Sequence, residues 1–239
     1  MNLEKFKVRG FIVEPYFQLY QNLDDPKAMS GELLTRLENG DSAYEVISQL
    51  TIVEHLELLE WLIHNSNQLM KNFGLHCSMN IDNNIVIEPR TRDEFLRISE
   101  MSERTTTFEF TETHAMPGAA DANKLFRRLR DQGHSCALDD FGTGLNGMTL
   151  LTDYDFDIVK VDRALTIDIE TRPEKLKVIS LLNEMISALN KSHVVEGVET
   201  KEVYDLLITA GFRVFQGYLL DKPIPISELN VSQLLKEQR

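Results

Sequence analysis

The chain has only two cysteines, Cys77 and Cys136, and neither stands in a CxxC or beside an HxxxH spacing, which argues against a zinc site and against a disulfide framework. Both fall in apolar runs and read as buried free thiols of a reducing compartment. No apolar stretch approaches the ~20 residues of a membrane span. Met1-Asn2-Leu3-Glu4-Lys5 lacks the apolar core of a signal peptide. A soluble, cytoplasmic protein without membrane contact is expected, and the methionine start favours a stand-alone chain. Positive charge is scarce: 25 Lys and Arg face 38 Asp and Glu, for a net charge of −13. That argues against a basic surface for polymeric nucleic acid. An anionic small substrate would need local cations to overcome the general repulsion. Gly/Ser/Pro-rich linkers and low-complexity tracts are also missing, so one domain over residues 1–239 is expected rather than two.

What is present is a recurrence. Short apolar runs end on a polar group at Cys77-Ser78-Met79-Asn80, Phe108-Glu109-Phe110-Thr111-Glu112, Ala137-Leu138-Asp139-Asp140, Ile158-Val159-Lys160-Val161-Asp162, Val194-Val195-Glu196 and Val214-Phe215-Gln216. The interval suits one strand plus one helix, and such units close most naturally as a (β/α)₈ barrel whose active site gathers at the strand C-termini. The opening differs. Strands at about Val8–Tyr20 and Met29–Leu37 flank the turn at Asp24-Asp25-Pro26, so the first pair should be antiparallel.

A helix is expected from Val53 to Phe73, with Leu56, Leu59 and Ile63 facing the core and Gly74 as its stop. Further helices are expected at Arg92–Met101, Ala120–Gln132 and Thr143–Leu151, and at Pro173–Asn190 with Val178, Leu182, Met185 and Leu189 on one face. Two more are expected at Lys201–Ala210 and Ile226–Lys236.

If the strand ends converge, Glu32, Glu109, Asp139, Asp140 and Glu196 share one mouth with Lys160 as the nearby cation. Two carboxylates ~4 Å apart repel by about 4 kcal/mol at an effective dielectric of 20. Either several acids take up protons or cations bind. The all-oxygen donor set, with the amide of Asn80, suits Mg²⁺ or Mn²⁺, and a pair of such ions is a common device for phosphoester hydrolysis. Taken singly, each residue has a plainer reading: a strand-end acid as a helix cap, Asn80 as a turn residue, Lys160 as an ion-pair partner. Asp139-Asp140-Phe141-Gly142-Thr143-Gly144 reads equally as a phosphate-cradling loop and as a strand–helix connection. It is not a P-loop.

Together these residues resemble the EAL domain, the bacterial cyclic di-GMP phosphodiesterase module. Glu32-Leu33-Leu34-Thr35-Arg36 resembles EALxR, Glu109 to Glu112 ExTE, Asp139 to Gly144 DDFGTG, Lys160-Val161-Asp162 KxD, Glu196 to Thr200 EGVET and Gln216-Gly217-Tyr218 QGY. The resemblance implies an α/β, TIM-like barrel with an antiparallel first strand. It implies two divalent ions held by Glu32, Asn80, Glu109, Asp139 and Asp140, with Glu196 acting on the attacking water and Lys160 orienting it. Arg36, Leu34, Glu199 and Gln216 would contact the nucleotide, and Glu112 would hold the loop after Asp140. The implied reaction converts cyclic di-GMP to linear pGpG, and a homodimer is one implied assembly. A weakly active or inactive cyclic di-GMP receptor or protein-binding module is the alternative. A barrel metallohydrolase for another phosphoester is the reading the acids alone allow. Two departures stand out. Leu145-Asn146-Gly147 replaces a pair of serines, and Val13-Glu14-Pro15 is read in place of Tyr-Gln-Pro, which would put the acid Glu14 where the family often has a guanine-contacting amide.

Overall fold

The computed structural model describes residues 5–103, 105–112, 114–144 and 147–230. The chain opens with strands β1 (Phe6–Val8), β2 (Phe11–Leu19), β3 (Gln21–Asn22) and β4 (Ser30–Leu37). Then follow α1 (Tyr44–Ile47), α2 (Ile52–Phe73), β5 (His76–Ile81), α3 (Asn84–Ile87), α4 (Pro89–Ser99), β6 (Thr107–Thr111), α5 (Ala119–Asp131) and β7 (Ser135–Phe141). The second half runs α6 (Gly147–Asp153), β8 (Ile158–Val161), α7 (Arg163–Thr166), α8 (Pro173–Ala188), β9 (Ser192–Val195), α9 (Lys201–Thr209), β10 (Val214–Phe215) and β11 (Ile224–Pro225).

The sheet order is β1-β2-β4-β5-β6-β7-β8-β9-β10-β3, with β11 on β2. Pairing is parallel from β4 to β10, whereas β2 and β4 are antiparallel. Because β3 continues β2 past Tyr20, its pairing with β10 closes the sheet into a TIM-like barrel with an antiparallel first strand. The expected first strand is really a hairpin plus a continuation: Arg9 and Gly10, both at positive φ, turn β1 back onto β2.

Strand alternation sorts the side chains. In β6, Phe108 and Phe110 are fully buried on the helix side, where Phe95 meets them edge-on and Phe126 and Phe156 extend the cluster. Glu109, between them, goes to the other face. In β8, Val159 and Val161 pack outward and Lys160 inward. In α2, Leu56, Leu59 and Ile63 are buried. A Thr51–Glu54 capping box starts that helix, where a cap is worth about 1 kcal/mol, and left-handed Gly74 ends it. Both cysteines are buried and free.

The helix α8 differs from expectation. Its buried residues are Ile179, Leu182 and Ile186, while Val178 and Leu189 are exposed. Leu182 is buried as expected and Met185 packs half-buried against the core, while Ile179 and Ile186 take the places expected of Val178 and Leu189, because apolar residues lie nearly all around this helix. Of the helix expected over Ile226–Lys236, Ile226–Glu228 form a single 3₁₀ turn, and residues 231–239 lie outside the described residues.

Candidate active site at the barrel mouth

Lys160 organises the site. The residue is 1% exposed, and its ammonium lies 2.7 Å from Glu109, 2.8 Å from Glu196, 2.9 Å from Asp139 and 3.5 Å from Glu32. Four strand ends thus deliver carboxylates to one buried cation. Glu32 also accepts hydrogen bonds from Asn80 Nδ2 (2.7 Å) and Gln216 Nε2 (2.8 Å). Ligand atoms of Asp139, Asp140 and Glu196 come within 4.8 Å of one another.

Neighbouring strand residues normally face opposite ways. Asp139 and Asp140 escape this because the β7–β8 register shifts between Leu138 and Phe141, and Asp140 takes a left-handed conformation at φ 55°. The bulge turns both carboxylates toward the mouth. Aspartate tolerates this backbone better than most residues.

One ammonium cannot hold five carboxylates ionised. Burial pushes Glu32 up, but Lys160 and the hydrogen bonds from Gln216 and Asn80 outweigh it, and its pKa lies below the usual value. Glu109, Asp140 and Glu196 go the opposite way. Burial raises Glu109 to about 8, against the pull of Lys160 and with the help of Glu32 and Asp139. Burial, then Asp139 and Asp162, raise Asp140 to about 6. Burial also lifts Glu196 well above the carboxylate range. Lys160 itself, despite burial, is held high by Asp139, Glu109, Glu196 and Glu32.

These shifts have a consequence for the metal-free protein. Glu109 (4.5 to about 8) and Asp140 (3.8 to about 6) bind protons more tightly folded than unfolded. Their contribution is therefore present below the unfolded pKa values and lost as pH rises through the folded ones. In chelator, the urea midpoint should fall between pH 5 and pH 8. A midpoint that rises over that range would contradict these directions.

The remaining predicted residues divide. Gln216 joins the cluster through Glu32. Leu34 and Arg36 line a cavity of about 570 Å³ whose wall also includes Asn80, Asp139, Asp140, Tyr44, Leu58 and Leu62. Glu199 is exposed and paired with Arg163 at 2.7 Å, outside the carboxylates around Lys160. Glu112 is buried. Its Oε2 accepts from the Gly142 N–H at 2.7 Å, while Oε1 has no hydrogen-bond partner among the described residues. Leu145 and Asn146, in the departure from the serine pair, lie outside the described residues.

The reading of Glu14 is corrected. Its carboxylate pairs with Lys5 at 2.8 Å, and the amide that β2 sets beside the acids is Gln18, opposite Glu32 in register. The Glu-Pro dipeptide misplaced the motif by four residues. Counting outward from Asp25 at the turn would have put residue 18 opposite residue 32. Tyr20 was missed with it: its hydroxyl lies 2.6 Å from Ser78 Oγ and donates to Glu109 at 3.1 Å. Also unforeseen is the His55–Asp82 pair, 2.9 Å, in the cavity wall.

The sequence model of the EAL domain matches residues 7–223. Among curated proteins, the chain is 38% identical over 118 residues to "Cyclic di-GMP phosphodiesterase RocR" of Pseudomonas aeruginosa, covering 49% of this chain and 30% of that one. It is 26% identical over 230 residues to "Probable cyclic di-GMP phosphodiesterase PdeB" of Escherichia coli, covering 88% and 42%. The chain therefore spans less than half the length of either relative. Among solved structures it is similar to a standalone versatile EAL protein from Vibrio cholerae in a c-di-GMP bound form (27% identity, TM-score 0.76, 91% and 94% covered). It is also similar to Klebsiella pneumoniae BlrP1 in a manganese/cyclic di-GMP complex (25%, 0.74, 92% and 58%).

Proposed function

Because the chain belongs to the EAL domain family, we propose that it hydrolyses one phosphodiester of cyclic di-GMP to give linear pGpG, with two divalent ions, Mg²⁺ or Mn²⁺. The observation that carries this reading is the convergence of Glu32, Glu109, Asp139 and Glu196 on Lys160 at the mouth of the barrel. The donors fit hard cations: all are oxygens, and Asp139, Asp140 and Glu196 bring ligand atoms within 4.8 Å of one another. Glu32, Asn80, Glu109, Asp139 and Asp140 would hold the ions. Bound there, such ions activate water and stabilise the attacking and leaving oxygens of an in-line displacement.

The chain's own groups do the rest. The water's oxygen bonds to phosphorus, its proton passes to the Glu196 carboxylate, and the P–O3′ bond breaks, solvent reprotonating the leaving oxygen. Lys160 orients that water. Arg36, at the wall of the cavity, pairs with a phosphate as guanidinium groups do. Leu34, Glu199 and Gln216 contact the nucleotide.

Turnover of cyclic di-GMP is expected in Mg²⁺ or Mn²⁺ and is expected to vanish in chelator. Chromatographic detection of pGpG across Mg²⁺, Mn²⁺ and Ca²⁺ tests this, and no product with any of the three rejects it. One observation favours the receptor reading: among the described residues, the Gly142 N–H is the hydrogen bond by which Glu112 holds the loop, its Oε1 having no partner there. Calorimetric binding of cyclic di-GMP without turnover would be its signature.

A further inference from the structure

We infer that Asp221, outside the acid cluster, is a positioning residue for Glu32; this rests on the reading of Glu32 as a metal ligand. The outer edge of the first barrel strand has a gap. Below it, β3 pairs with β10 through Gln21 and Asn22, and above it β11 pairs with β2 at Tyr16 and Phe17. Between these, no strand among the described residues lies along that edge from Gln18 to Tyr20. The chain instead makes a turn in which Leu220 and Asp221 donate to the Gly217 carbonyl.

Asp221 fills the gap. Its Oδ2 accepts the Leu19 N–H at 2.9 Å, as a strand carbonyl would, and its backbone carbonyl accepts Gln18 Nε2 at 2.9 Å. The second contact sets the polarity of a chain of amides. With Gln18 Nε2 committed to Asp221, Gln18 Oε1 faces Gln216 and accepts from its Nε2 at 2.9 Å. The same Gln216 nitrogen donates to Glu32 Oε2 at 2.8 Å, and Asn80 holds the other oxygen. If the Gln18 amide turned over, two NH₂ groups would meet. Gln216 would then have to present its own oxygen to the Glu32 carboxylate. A second observation agrees. Among the described residues Gln216 Oε1 is buried without a hydrogen bond, the orientation expected when both amide hydrogens are held by Gln18 and Glu32 on the other side.

The test uses the whole chain and Mn²⁺ as probe, with binding followed by titration calorimetry and turnover of cyclic di-GMP against Mn²⁺ concentration. Asp221→Ala should weaken Mn²⁺ binding about 10–100-fold, as loss of outer groups around a metal does. It should raise the Mn²⁺ concentration for half-maximal turnover to match. Asp221→Asn, which keeps an acceptor for the Leu19 N–H, should restore most of the loss. Gln18→Leu, which leaves the Leu19 anchor in place, should reproduce it, and serves as the second route if the alanine variant does not fold. Combining the two should add little to either alone. Unchanged Mn²⁺ affinity in Asp221→Ala, with or without a lower unfolding temperature, overturns the inference. A wild-type chain that binds no Mn²⁺ overturns it by a different route, through the reading of Glu32.

Discussion

Replacing Lys160 with methionine is expected to lower the stability of the metal-free protein by about 3–5 kcal/mol, the usual cost of removing one member of a buried ion pair. The side chains are similar in length, so packing changes little. What changes is charge: Glu32, Glu109, Asp139 and Glu196 lose a cation that lies within 3.5 Å of each of them. The loss should be larger at pH 8 than at pH 6, because Glu109 and Asp140 can shed part of the repulsion by staying protonated at the lower pH. Mn²⁺ should recover much of it. Urea unfolding in chelator and in Mn²⁺, at both pH values, separates these contributions. A variant as stable as wild type in chelator at pH 8 would mean that the acids do not depend on the ammonium at all.

Glu196→Gln is expected to reduce kcat by about 10²–10⁴-fold, the range for a lost general base, with KM for cyclic di-GMP little changed. Glutamine keeps the shape and can still meet Lys160, but it takes up no proton. Glu196 is suited to the task because burial raises its pKa while Lys160, 2.8 Å away, opposes that rise without cancelling it. It also stands with Asp139 and Asp140 as a candidate ligand. Mn²⁺ affinity measured on the same sample distinguishes the roles. A fall in kcat at saturating Mn²⁺ supports the base, whereas lost turnover explained wholly by weaker Mn²⁺ binding makes Glu196 a ligand instead.

Much of the barrel was legible because its signals are long-range in sequence but simple in kind. Twenty-two residues of helical periodicity announce α2, and Phe108-Glu109-Phe110 announces a strand with one polar side chain turned inward. The short helices α1, α3 and α7, each of four residues, have too few turns to show a period, and they went unseen. The bulge at Asp139-Asp140 was hidden for another reason. Two acids in a row are compatible with one inside and one outside, and only the register against β8 shows both going to the mouth. Gln18 was hidden by a proline: Pro15 drew the motif to Glu14, although the turn at Asp25 carries the register. The gap beside Gln18 arises from how the two ends of the chain meet, which no local pattern records.

The bond between Gln216 and Glu32 joins residues 184 positions apart. Protein synthesis delivers the chain from its N-terminus, and contacts of such separation close last. The first carboxylate of the cluster must therefore wait for its bond from Gln216 until the chain as far as β10 has left the ribosome. A nascent chain stopped before β10 would carry all five acids, with Asn80 and Lys160 beside Glu32 but without the bond from Gln216, so the last support of that carboxylate arrives late.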